Sequence, residues 1–451
     1  MLDAEIIMAI KTAFVCSGCG YESGKWYGRC PNCSSWNSFS EVKLETASKK
    51  IQSVLDVATS LVPTQIGKIK SAGISRFTTG FLEFDRVLGG GIVTGSAVLL
   101  SGDPGVGKST LLLELAKNFA QSSKKQKTDS RVLYVSGEES EGQIKIRAER
   151  IGVKENDSLF IFASGDIDQV ISQAAALKPK LFIIDSIQTM SSGQFPGFAG
   201  SLPQIRHATA RLVSFAKKNG IPVFIVGHVT KEGDVAGPML LSHMVDCVLY
   251  LEGENLSGTR ILRAFKNRFG DASEVGIFTM DENGMKEVSD SSFFIAEESQ
   301  KVPGSCLTVL MEGSRPILVE IQSLVVPSSL SYPRRVSNGI SEKRLELLLA
   351  VIQKHAKIPL DRVDVYINVV GGLKISETAA DLAVCLAAIS SFKNKSISAA
   401  PAIAEVGLLG ELKEVVNQRV RIKEAKKLGF RNILTNDSCK FLNDIIRTHE
   451  K

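Results

Sequence analysis

The fold class of this chain is decided by one glycine-rich stretch, Gly102-Asp103-Pro104-Gly105-Val106-Gly107-Lys108-Ser109-Thr110. The stretch matches the phosphate-loop pattern GxxxxGK[ST], and it lies between an apolar strand and a helix, as that motif requires. Glycines allow backbone N–H groups to wrap the β-phosphate of ATP, and the helix N-terminus adds the positive end of its dipole. Lys108 is placed to reach the β- and γ-phosphates, and Ser109 is placed to bind Mg²⁺. A chance glycine-rich turn is the alternative, and the flanking elements speak against it.

Apolar segments alternate with amphipathic stretches on both sides of this loop, from about residue 71 to 285. The candidate strands are Ala97–Ser101, Val132–Val135, Leu181–Asp185, Val223–Gly227 and Val245–Leu251. This alternation is typical of βαβ units and a parallel sheet, and short apolar strands are expected where both faces are covered. After a polar segment, a second α/β region follows, with strands around Cys306–Met311, Val319–Val325 and Val363–Val369. The sequence therefore predicts an α/β protein.

Two strands place carboxylates at one edge of the predicted sheet. The strand LFIID ends at Asp185, which we interpret as the second Mg²⁺-organising group, although an Asp in this place can also cap a helix. The segment VSGEE ends the second strand, and Glu138 is predicted to orient the attacking water, with Glu139 in reserve. A solvated acidic turn is the alternative. The segment GHVTK ends a later strand, and its His228 fits either a γ-phosphate sensor or a structural histidine.

Four cysteines near the N-terminus form two CxxC pairs: Cys16, Cys19, Cys30 and Cys33. Two such pairs can bring four thiolates to the corners of a tetrahedron, the arrangement that structural Zn²⁺ prefers. A redox pair or four unrelated thiols are the alternatives. Aromatic and basic residues surround the pairs and can either cover the small apolar face of a zinc ribbon or stack on bases: Trp26, Tyr27, Arg29 and Trp36.

Composition adds weaker constraints. The chain has 451 residues, 44% of them hydrophobic, and this length fits two or three domains. No apolar run approaches the ~18 to 20 residues that span a bilayer, and the run from Asp381 to Phe392 is short enough to be predicted as a core helix. Asp3 and Glu5 stand where a signal peptide would carry positive charge. These features predict a soluble cytoplasmic protein without membrane association. The net charge of +6 permits nucleic-acid binding but does not require it.

The order of motifs resembles that of the bacterial RadA (Sms) DNA repair family over essentially the whole chain from about Met8. The paired CxxC motifs are followed by LGGGI, GDPGVGKST, VSGEES, GHVTKEG and finally KNRFG at 266–270, the most specific of these elements. The resemblance implies a RecA-like ATPase that forms hexameric rings on DNA. It also implies a role in homologous recombination alongside the RecA recombinase, driving branch migration on single-stranded and branched DNA with ATP, Mg²⁺ and Zn²⁺.

The resemblance also implies roles for particular residues. Lys266 and Arg268 would lie near a subunit interface and contact nucleotide or DNA across it, in the manner of an arginine finger. The segment from Met190 to Arg206 occupies the place of a DNA-facing loop, and a mobile surface loop is the alternative. The implied domains are a zinc-finger module over 8–40, a linker over 41–70, the ATPase over 71–285 and a Lon protease-like domain over 286–451.

The resemblance of the C-terminal region to the Lon protease domain comes without that enzyme's Ser–Lys dyad. Ala379 stands at the serine position and Arg419 at the lysine position, and an arginine stays protonated and cannot act as a base. Ser376 and Lys413 could form a shifted dyad only under a different alignment. We therefore expect no proteolysis, and expect this domain to serve as an assembly and DNA-binding platform. The candidates for a DNA-binding face, with an ordinary solvated surface as the alternative, are six basic residues: Arg334, Arg335, Lys343, Arg344, Lys354 and Lys357.

Three other functions compete with a branch-migration motor. A strand-exchange recombinase is disfavoured by the zinc module and the Lon-like region. An ATP-dependent Lon-type protease would need an AAA+ motor and an intact dyad. A nucleotide-switched DNA-binding scaffold without motor activity is the main alternative, and Glu138 and Asp185 favour turnover over it.

Overall fold

The computed structural model describes residues 11–16, 21–32, 34–44, 65–66, 75–125, 130–154, 158–227, 241–253, 258–288, 302–396 and 400–449. The predicted linker over 41–70 lies mostly outside the described residues, as do residues 1–7 and His228. No helix in the described ranges is both long and apolar enough to cross a membrane.

The chain forms two compact units, and each unit consists of more than one segment of the sequence. The first unit consists of Met1–Leu251, Ala264–Ala272 and Glu282–Met285, and the second consists of Glu252–Arg263, Ser273–Asp281 and Lys286–Lys451. Two segments before residue 285, Glu252–Arg263 and Ser273–Asp281, thus group with the second unit, and the domain bounds 71–285 and 286–451 stay a prediction.

A small antiparallel sheet forms the N-terminal module. Its strands are β1 (Lys11–Cys16), β2 (Glu22–Ser23) and β3 (Phe39–Leu44), in the order β2-β1-β3. Strand β1 pairs with β3 from Lys11 opposite Leu44 to Cys16 opposite Phe39. The register places Cys16 beside Phe39, and these two residues form a small buried cluster with Cys30.

The centre of the first unit is a parallel sheet of short apolar strands. After the short pair β4 (Arg76–Phe77) and β5 (Ile92–Val93), its strands are β6 (Ala97–Gly102), β7 (Val132–Ser136), β8 (Leu159–Ala163), β9 (Leu181–Asp185), β10 (Val223–Val226) and β11 (Cys247–Gly253). The order β11-β6-β10-β9-β7-β8 places the strand that precedes the phosphate loop between β11 and β10. Strands β6, β7, β9 and β10 are buried along their whole length, as predicted for a sheet covered on both faces.

Helices cover this sheet, and local sequence sets their ends. They are α1 (Leu82–Val87), α2 (Lys108–Lys125), α3 (Glu141–Arg150), α4 (Ile167–Leu177) and α5 (Leu202–Asn219). Ser140 caps α3 in a capping box with Gln143, and the Asp166 carboxylate caps α4. Helix α5 ends at Gly220, whose positive φ gives a left-handed C-cap. The two N-caps thus mark where α3 and α4 begin, and the Gly220 cap marks where α5 ends before β10.

The remaining strands are β12 (Thr259–Asn267), β13 (Val275–Asp281), β14 (Gly284–Glu287), β15 (Ser305–Glu312), β16 (Arg315–Pro327), β17 (Arg335–Asn338), β18 (Val363–Val369), β19 (Glu405–Val406) and β20 (Leu412–Lys413). In the second unit, the order β15-β16-β18-β17 forms a mixed sheet. The helices of this unit are α6 (Glu342–His355), α7 (Asp381–Lys393), α8 (Gln418–Lys427) and α9 (Leu442–His449). Helix α7 is the predicted core helix, and its residues 381–390 are all buried.

Candidate nucleotide-binding and catalytic site

The phosphate loop lies between β6 and α2. Backbone conformation or close packing requires glycine at several of its positions. Gly105 and Gly107 have φ angles of 77° and 108°, a region that residues with a side chain rarely adopt. A Cβ atom on Gly102 would lie 2.3 Å from the Leu251 carbonyl oxygen. The strand therefore passes too close to β11 for any other residue at position 102.

Lys108 is buried at the start of α2. Its Nζ donates to the carbonyl oxygens of Gly102 at 2.8 Å and Asp103 at 2.9 Å, which holds the ammonium over the loop. Burial lowers the pKa of Lys108, and the nearby carboxylates of Asp185, Asp103 and Glu138 act in the opposite direction. Lys108, the predicted phosphate-binding lysine, therefore lies close enough to both predicted catalytic carboxylates for their charges to affect its pKa.

Asp185 ends β9 beside the loop. One carboxylate oxygen, Oδ2, accepts a hydrogen bond from the Tyr134 hydroxyl at 2.5 Å. The Asp185 carbonyl oxygen accepts from the Gly137 amide at 3.2 Å, which joins the ends of β7 and β9. The residue starts no long helix, since only a short 3-10 turn at Ile187–Thr189 follows. This position at the carboxyl edge fits a group that organises Mg²⁺.

Glu138 lies in the turn after β7. Its Oε1 accepts a hydrogen bond from the Ser186 hydroxyl at 2.5 Å, and its backbone amide donates to the Ser136 hydroxyl at 3.3 Å. Ser186 directly follows Asp185 and is fully buried. The two predicted carboxylates are therefore connected through Asp185, the last residue of β9, and Ser186, which follows it.

Glu139, the reserve candidate, points to a different partner. Its carboxylate pairs with the guanidinium of Arg147 on α3. Ser140, the next residue, caps that helix, so the turn is held at both ends. Glu138 is thus the glutamate that contacts the end of β9, whereas Glu139 contacts the helix.

The KNRFG segment folds back on the glycine-rich segment near residue 89. Lys266 Nζ donates to the carbonyl oxygens of Ser242 at 2.6 Å and Val245 at 2.8 Å, so this cation is committed to the backbone of its own chain. Burial lowers the pKa of Lys266, with Arg268 as the next cause. Asn267 Nδ2 donates to the Val87 carbonyl oxygen at 3.1 Å.

Arg268 is more exposed than Lys266. Its guanidinium pairs with the buried Asp246 carboxylate at 3.0 Å, and Lys217 approaches the same carboxylate at 3.6 Å. The other oxygen of Asp246 accepts from the Ala97 amide at 3.1 Å. Asp246 therefore ties Arg268 to the start of β6 and leaves about half of the arginine side chain accessible, 53%.

The side chain of one glutamine, Gln204, donates hydrogen bonds to the backbone of the predicted DNA-facing segment. The last part of this segment, residues 202–206, belongs to helix α5, so the loop itself ends at Ser201. Gln204 is buried, and its Nε2 donates to the carbonyl oxygens of Ser192 at 3.1 Å and Phe195 at 2.6 Å. The ring of Phe195 stacks on His207 with centroids 4.3 Å apart. Phe198 is left 83% exposed on this loop.

In the N-terminal module, Cys16 and Cys30 are buried while Cys19 and Cys33 lie outside the described residues. The amides of Cys16 and Cys30 donate to the carbonyl oxygens of Tyr21 and Ser35, each at 2.9 Å. Two buried thiols in this module fit the predicted Zn²⁺ ligand set. Among the described residues, which contain two of the four cysteines, no three potential metal ligands cluster.

The aromatic residues of this module divide into two groups. Tyr21 and Tyr27 pack on Phe39, with centroids 6.5 and 6.0 Å apart, and cover the small core. Trp26 and Trp36 remain 53% and 73% exposed, and the Arg29 guanidinium lies over the Trp36 ring at 5.8 Å. Of the two alternatives, covering an apolar face describes Tyr27, whereas the two tryptophans remain exposed.

In the second unit, Ala379 is buried in an apolar cluster, and Arg419 is exposed on α8. Ser376 lines a polar cavity of about 340 Å³ together with Glu377. Lys413 lines a different cavity, and its Nζ pairs with Glu411 at 3.2 Å.

The sequence reasoning missed the groups that hold the site together: Tyr134, Ser186, Arg147, Asp246 and Gln204. Their partners lie on other strands or helices, so local spacing carries no signal for them. Tyr134 offered one clue, because it is the single aromatic residue of β7 and lies between aliphatic neighbours.

A phosphate loop beside a central parallel strand, with carboxylates at the ends of neighbouring strands, defines a RecA-like P-loop ATPase. DNA repair protein RadA of Bacillus subtilis is 46% identical over 428 residues, which cover 94% of this chain and 92% of that protein. The RadA proteins of Halalkalibacterium halodurans and Listeria monocytogenes are each 45% identical, covering 95% and 94% of this chain and 93% and 91% of those proteins. The chain belongs to the RadA family of DNA repair proteins.

Domain families match two parts of the chain. The AAA domain family matches residues 68–234, and the rubredoxin metal binding domain family matches residues 14–41. Among solved structures, a KaiC-like protein from Pyrococcus horikoshii is 19% identical with a TM-score of 0.39, covering 48% of this chain and 99% of that protein. The family match at 14–41 spans the cysteine quartet and agrees with a metal-binding role for that module.

Proposed function

We propose that this chain is a DNA-dependent ATPase of homologous recombination that drives branch migration and heteroduplex extension as a ring-shaped, helicase-like motor. The observation that carries the proposal is the arrangement of Lys108, Asp185 and Glu138 around one phosphate loop. A nucleotide-binding scaffold needs the loop and the lysine. Hydrolysis also needs a carboxylate that orients water, and the buried Ser186 holds Glu138 for that purpose.

The phosphate-binding groups have distinct roles in this proposal. Backbone amides of residues 105–109 and the N-terminus of α2 bind the β-phosphate, and Lys108 neutralises the β- and γ-phosphates. Ser109 and Asp185 would hold Mg²⁺, which neutralises developing charge on the phosphates. The Asp185 carboxylate is 7% exposed and fixed by Tyr134, so its orientation is set before nucleotide binds.

Glu138 orients the attacking water in this proposal. The Ser186 hydroxyl holds one carboxylate oxygen, and the second can accept a proton from water at the γ-phosphate. Glu139 is paired with Arg147 on the far side of the same turn and is less suited to this role.

Arg268 is the cation that we propose to act on the nucleotide or DNA of a neighbouring subunit in a homo-hexamer. It is half exposed and held in place by Asp246. Lys266 is bonded to two carbonyl oxygens, so its role is to fix the segment that presents Arg268. A cation supplied in trans links hydrolysis to ring assembly.

The loop over 190–201 is the proposed DNA contact of the motor. Gln204 bonds to several carbonyl oxygens of this loop, so the exposed ring of Phe198 projects from an organised backbone. An exposed aromatic ring can stack on an unpaired base with little dependence on sequence. Single-stranded and branched DNA, both with accessible bases, are therefore the proposed substrates, alongside the RecA recombinase as protein partner.

The second unit is proposed to be a Lon protease-like platform without proteolytic activity. Ala379 carries no nucleophile and is packed among apolar side chains. Of the basic residues expected to form a DNA-binding face, Arg344 pairs with the buried Asp381, and Arg335 donates to backbone carbonyl oxygens. Arg334, Lys343, Lys354 and Lys357 are exposed and remain suited to that role.

The proposal is tested by ATP hydrolysis with and without DNA for Glu138→Gln. We expect the turnover number to fall by about 10²- to 10⁴-fold, the usual contribution of a positioned general base, with nucleotide affinity retained. Glu141→Gln, an exposed change three residues on, is the matched control and should turn over like the wild type. Wild-type turnover by Glu138→Gln would exclude the assigned role, and a DNA-bound wild type without turnover would favour the nucleotide-switched scaffold.

A further inference from the structure

We propose that Tyr134 is a positioning residue for the Mg²⁺·nucleotide complex, because its hydroxyl fixes the Asp185 carboxylate. The inference rests on the Mg²⁺-organising role of Asp185 given under the proposed function, and it adds a residue to that site. It rests on a contact between neighbouring strands rather than on a sequence motif.

The register of the sheet places the two side chains on one face. In the parallel pair of β7 and β9, Tyr134 lies opposite Ile183, and Ser136 lies opposite Asp185. Alternate residues of a strand point to the same face, so Tyr134, Ile183 and Asp185 share one side of the sheet. The phenol ring extends along that face toward the carboxyl edge, and Oη meets Asp185 Oδ2 at 2.5 Å.

Packing alone does not require this hydroxyl. Tyr134 is completely buried between Leu133 and Val135 of β7, where a phenylalanine ring would fill nearly the same volume. A buried hydroxyl is costly unless it finds a partner, and here the partner is a carboxylate with 7% exposure. The short hydroxyl-to-carboxylate bond is of the charge-assisted kind, which is stronger than a neutral one.

The bond has a consequence for metal binding. It occupies Oδ2 and restricts rotation about the Cβ–Cγ bond, so the carboxylate is held in one orientation. Partners that orient a metal ligand typically contribute 10- to 100-fold to metal affinity or activity. Tyr134 is therefore expected to affect the Mg²⁺-dependent part of nucleotide binding and to leave the Mg²⁺-independent part unchanged.

The test is binding of mant-AMPPNP, a fluorescent non-hydrolysable ATP analogue, to the full chain with Mg²⁺ and with EDTA. For Tyr134→Phe we expect affinity in EDTA within about twofold of the wild type, which also shows that the variant is folded. With Mg²⁺, affinity should fall about 10-fold or more, as for other partners of metal ligands. The control, Ser130→Ala, removes another buried hydroxyl of this unit, bonded to the Ala120 carbonyl oxygen, and should match the wild type in both conditions.

A double-mutant cycle with Asp185→Asn separates the positioning role of Tyr134 from the Mg²⁺-organising role of Asp185. If Tyr134 acts through Asp185, then Tyr134→Phe adds no further loss of Mg²⁺-dependent affinity in the Asp185→Asn background. Equal Mg²⁺-dependent affinity of Tyr134→Phe and wild type, with Asp185→Asn impaired, would overturn the role of Tyr134 alone. An Asp185→Asn variant with wild-type Mg²⁺ dependence would instead overturn the underlying role of Asp185.

Discussion

Replacing Gly270 by alanine should displace the KNRFG turn. A Cβ atom on Gly270 would lie 2.7 Å from Gly89 Cα and 3.1 Å from Asn267 Nδ2. Unstrained carbon contacts lie near 3.5 to 4.0 Å, so the two backbone segments must separate by about 0.8 Å or more. Neither group is the flexible end of a long side chain, so the turn itself has to move.

The free energy lost on replacing Gly270 by alanine should resemble that of overpacked protein cores, which are typically destabilised by about 1 to 3 kcal/mol. A central value of about 2 kcal/mol corresponds to a roughly 30-fold rise in the population of the opened turn, since 1.4 kcal/mol is tenfold. The opening breaks two bonds of the turn: that of the Phe269 amide to Asn267 Oδ1 at 2.9 Å, and that of the Arg268 amide to the Asp246 carbonyl oxygen at 3.1 Å.

Hydrogen exchange measured by mass spectrometry on peptides covering 264–272 reports this opening directly. We expect Gly270→Ala to exchange about 30-fold faster there, and to lose DNA-stimulated ATP hydrolysis because Arg268 is displaced. Gly89→Ala makes the same contact from the other side, with a Cβ 2.8 Å from Gly270 Cα, and should behave alike. Gly142→Ala adds a Cβ in open space and is the control. Unchanged exchange in both Gly270→Ala and Gly89→Ala would refute the packing argument.

Three further predictions concern other parts of the chain. Phe198→Ala should weaken single-stranded DNA binding by about 1 to 3 kcal/mol, the usual contribution of one base stacked on an aromatic ring, measured by fluorescence anisotropy. Removing zinc with a chelator should change the tryptophan fluorescence, because both tryptophans of the chain, Trp26 and Trp36, lie in the metal-binding module, and such modules unfold without metal. Arg421→Met should destabilise the second unit by about 3 kcal/mol, measured by thermal unfolding, because this 1%-exposed arginine pairs with Glu377.

Each of these predictions has a control and a contrary result. Leu82→Ala removes another exposed apolar side chain and should leave DNA affinity unchanged, whereas equal DNA affinity of Phe198→Ala would remove the stacking role. Chelation should leave ATP hydrolysis without DNA unaffected, and constant tryptophan fluorescence would argue against the zinc site. Changing Glu377 to leucine together with Arg421→Met should recover part of the lost stability, and an unaltered unfolding temperature for Arg421→Met would contradict the ion-pair argument.

The features predicted from the sequence are those that local spacing encodes. The phosphate loop, the apolar strand that ends at Asp185 and the helix over Asp381–Lys393 follow from short stretches of residues, and the structure has all three. The physical causes of these features are also local, because tight turns need glycine and strands covered on both faces need apolar residues.

Other features depend on which strands become neighbours. The bonds from Tyr134 to Asp185 and from Ser186 to Glu138 join residues 51 and 48 positions apart, and they exist because β7 lies next to β9. The close approach of Gly270 to Gly89 is non-local for the same reason. Periodicity and motif spacing contain no term for strand order, so these contacts required the structure.

The most direct test of the motor is migration of a labelled DNA branch in a joint molecule, with ATP, for the wild type and for Lys108→Ala. The account predicts that the wild type extends the heteroduplex and that the variant, without the cation at the β- and γ-phosphates, does not. Branch migration by Lys108→Ala at the wild-type rate would contradict an ATP-driven motor. A wild type that hydrolyses ATP in the presence of DNA and of the RecA recombinase yet leaves the branch in place would contradict the proposed movement.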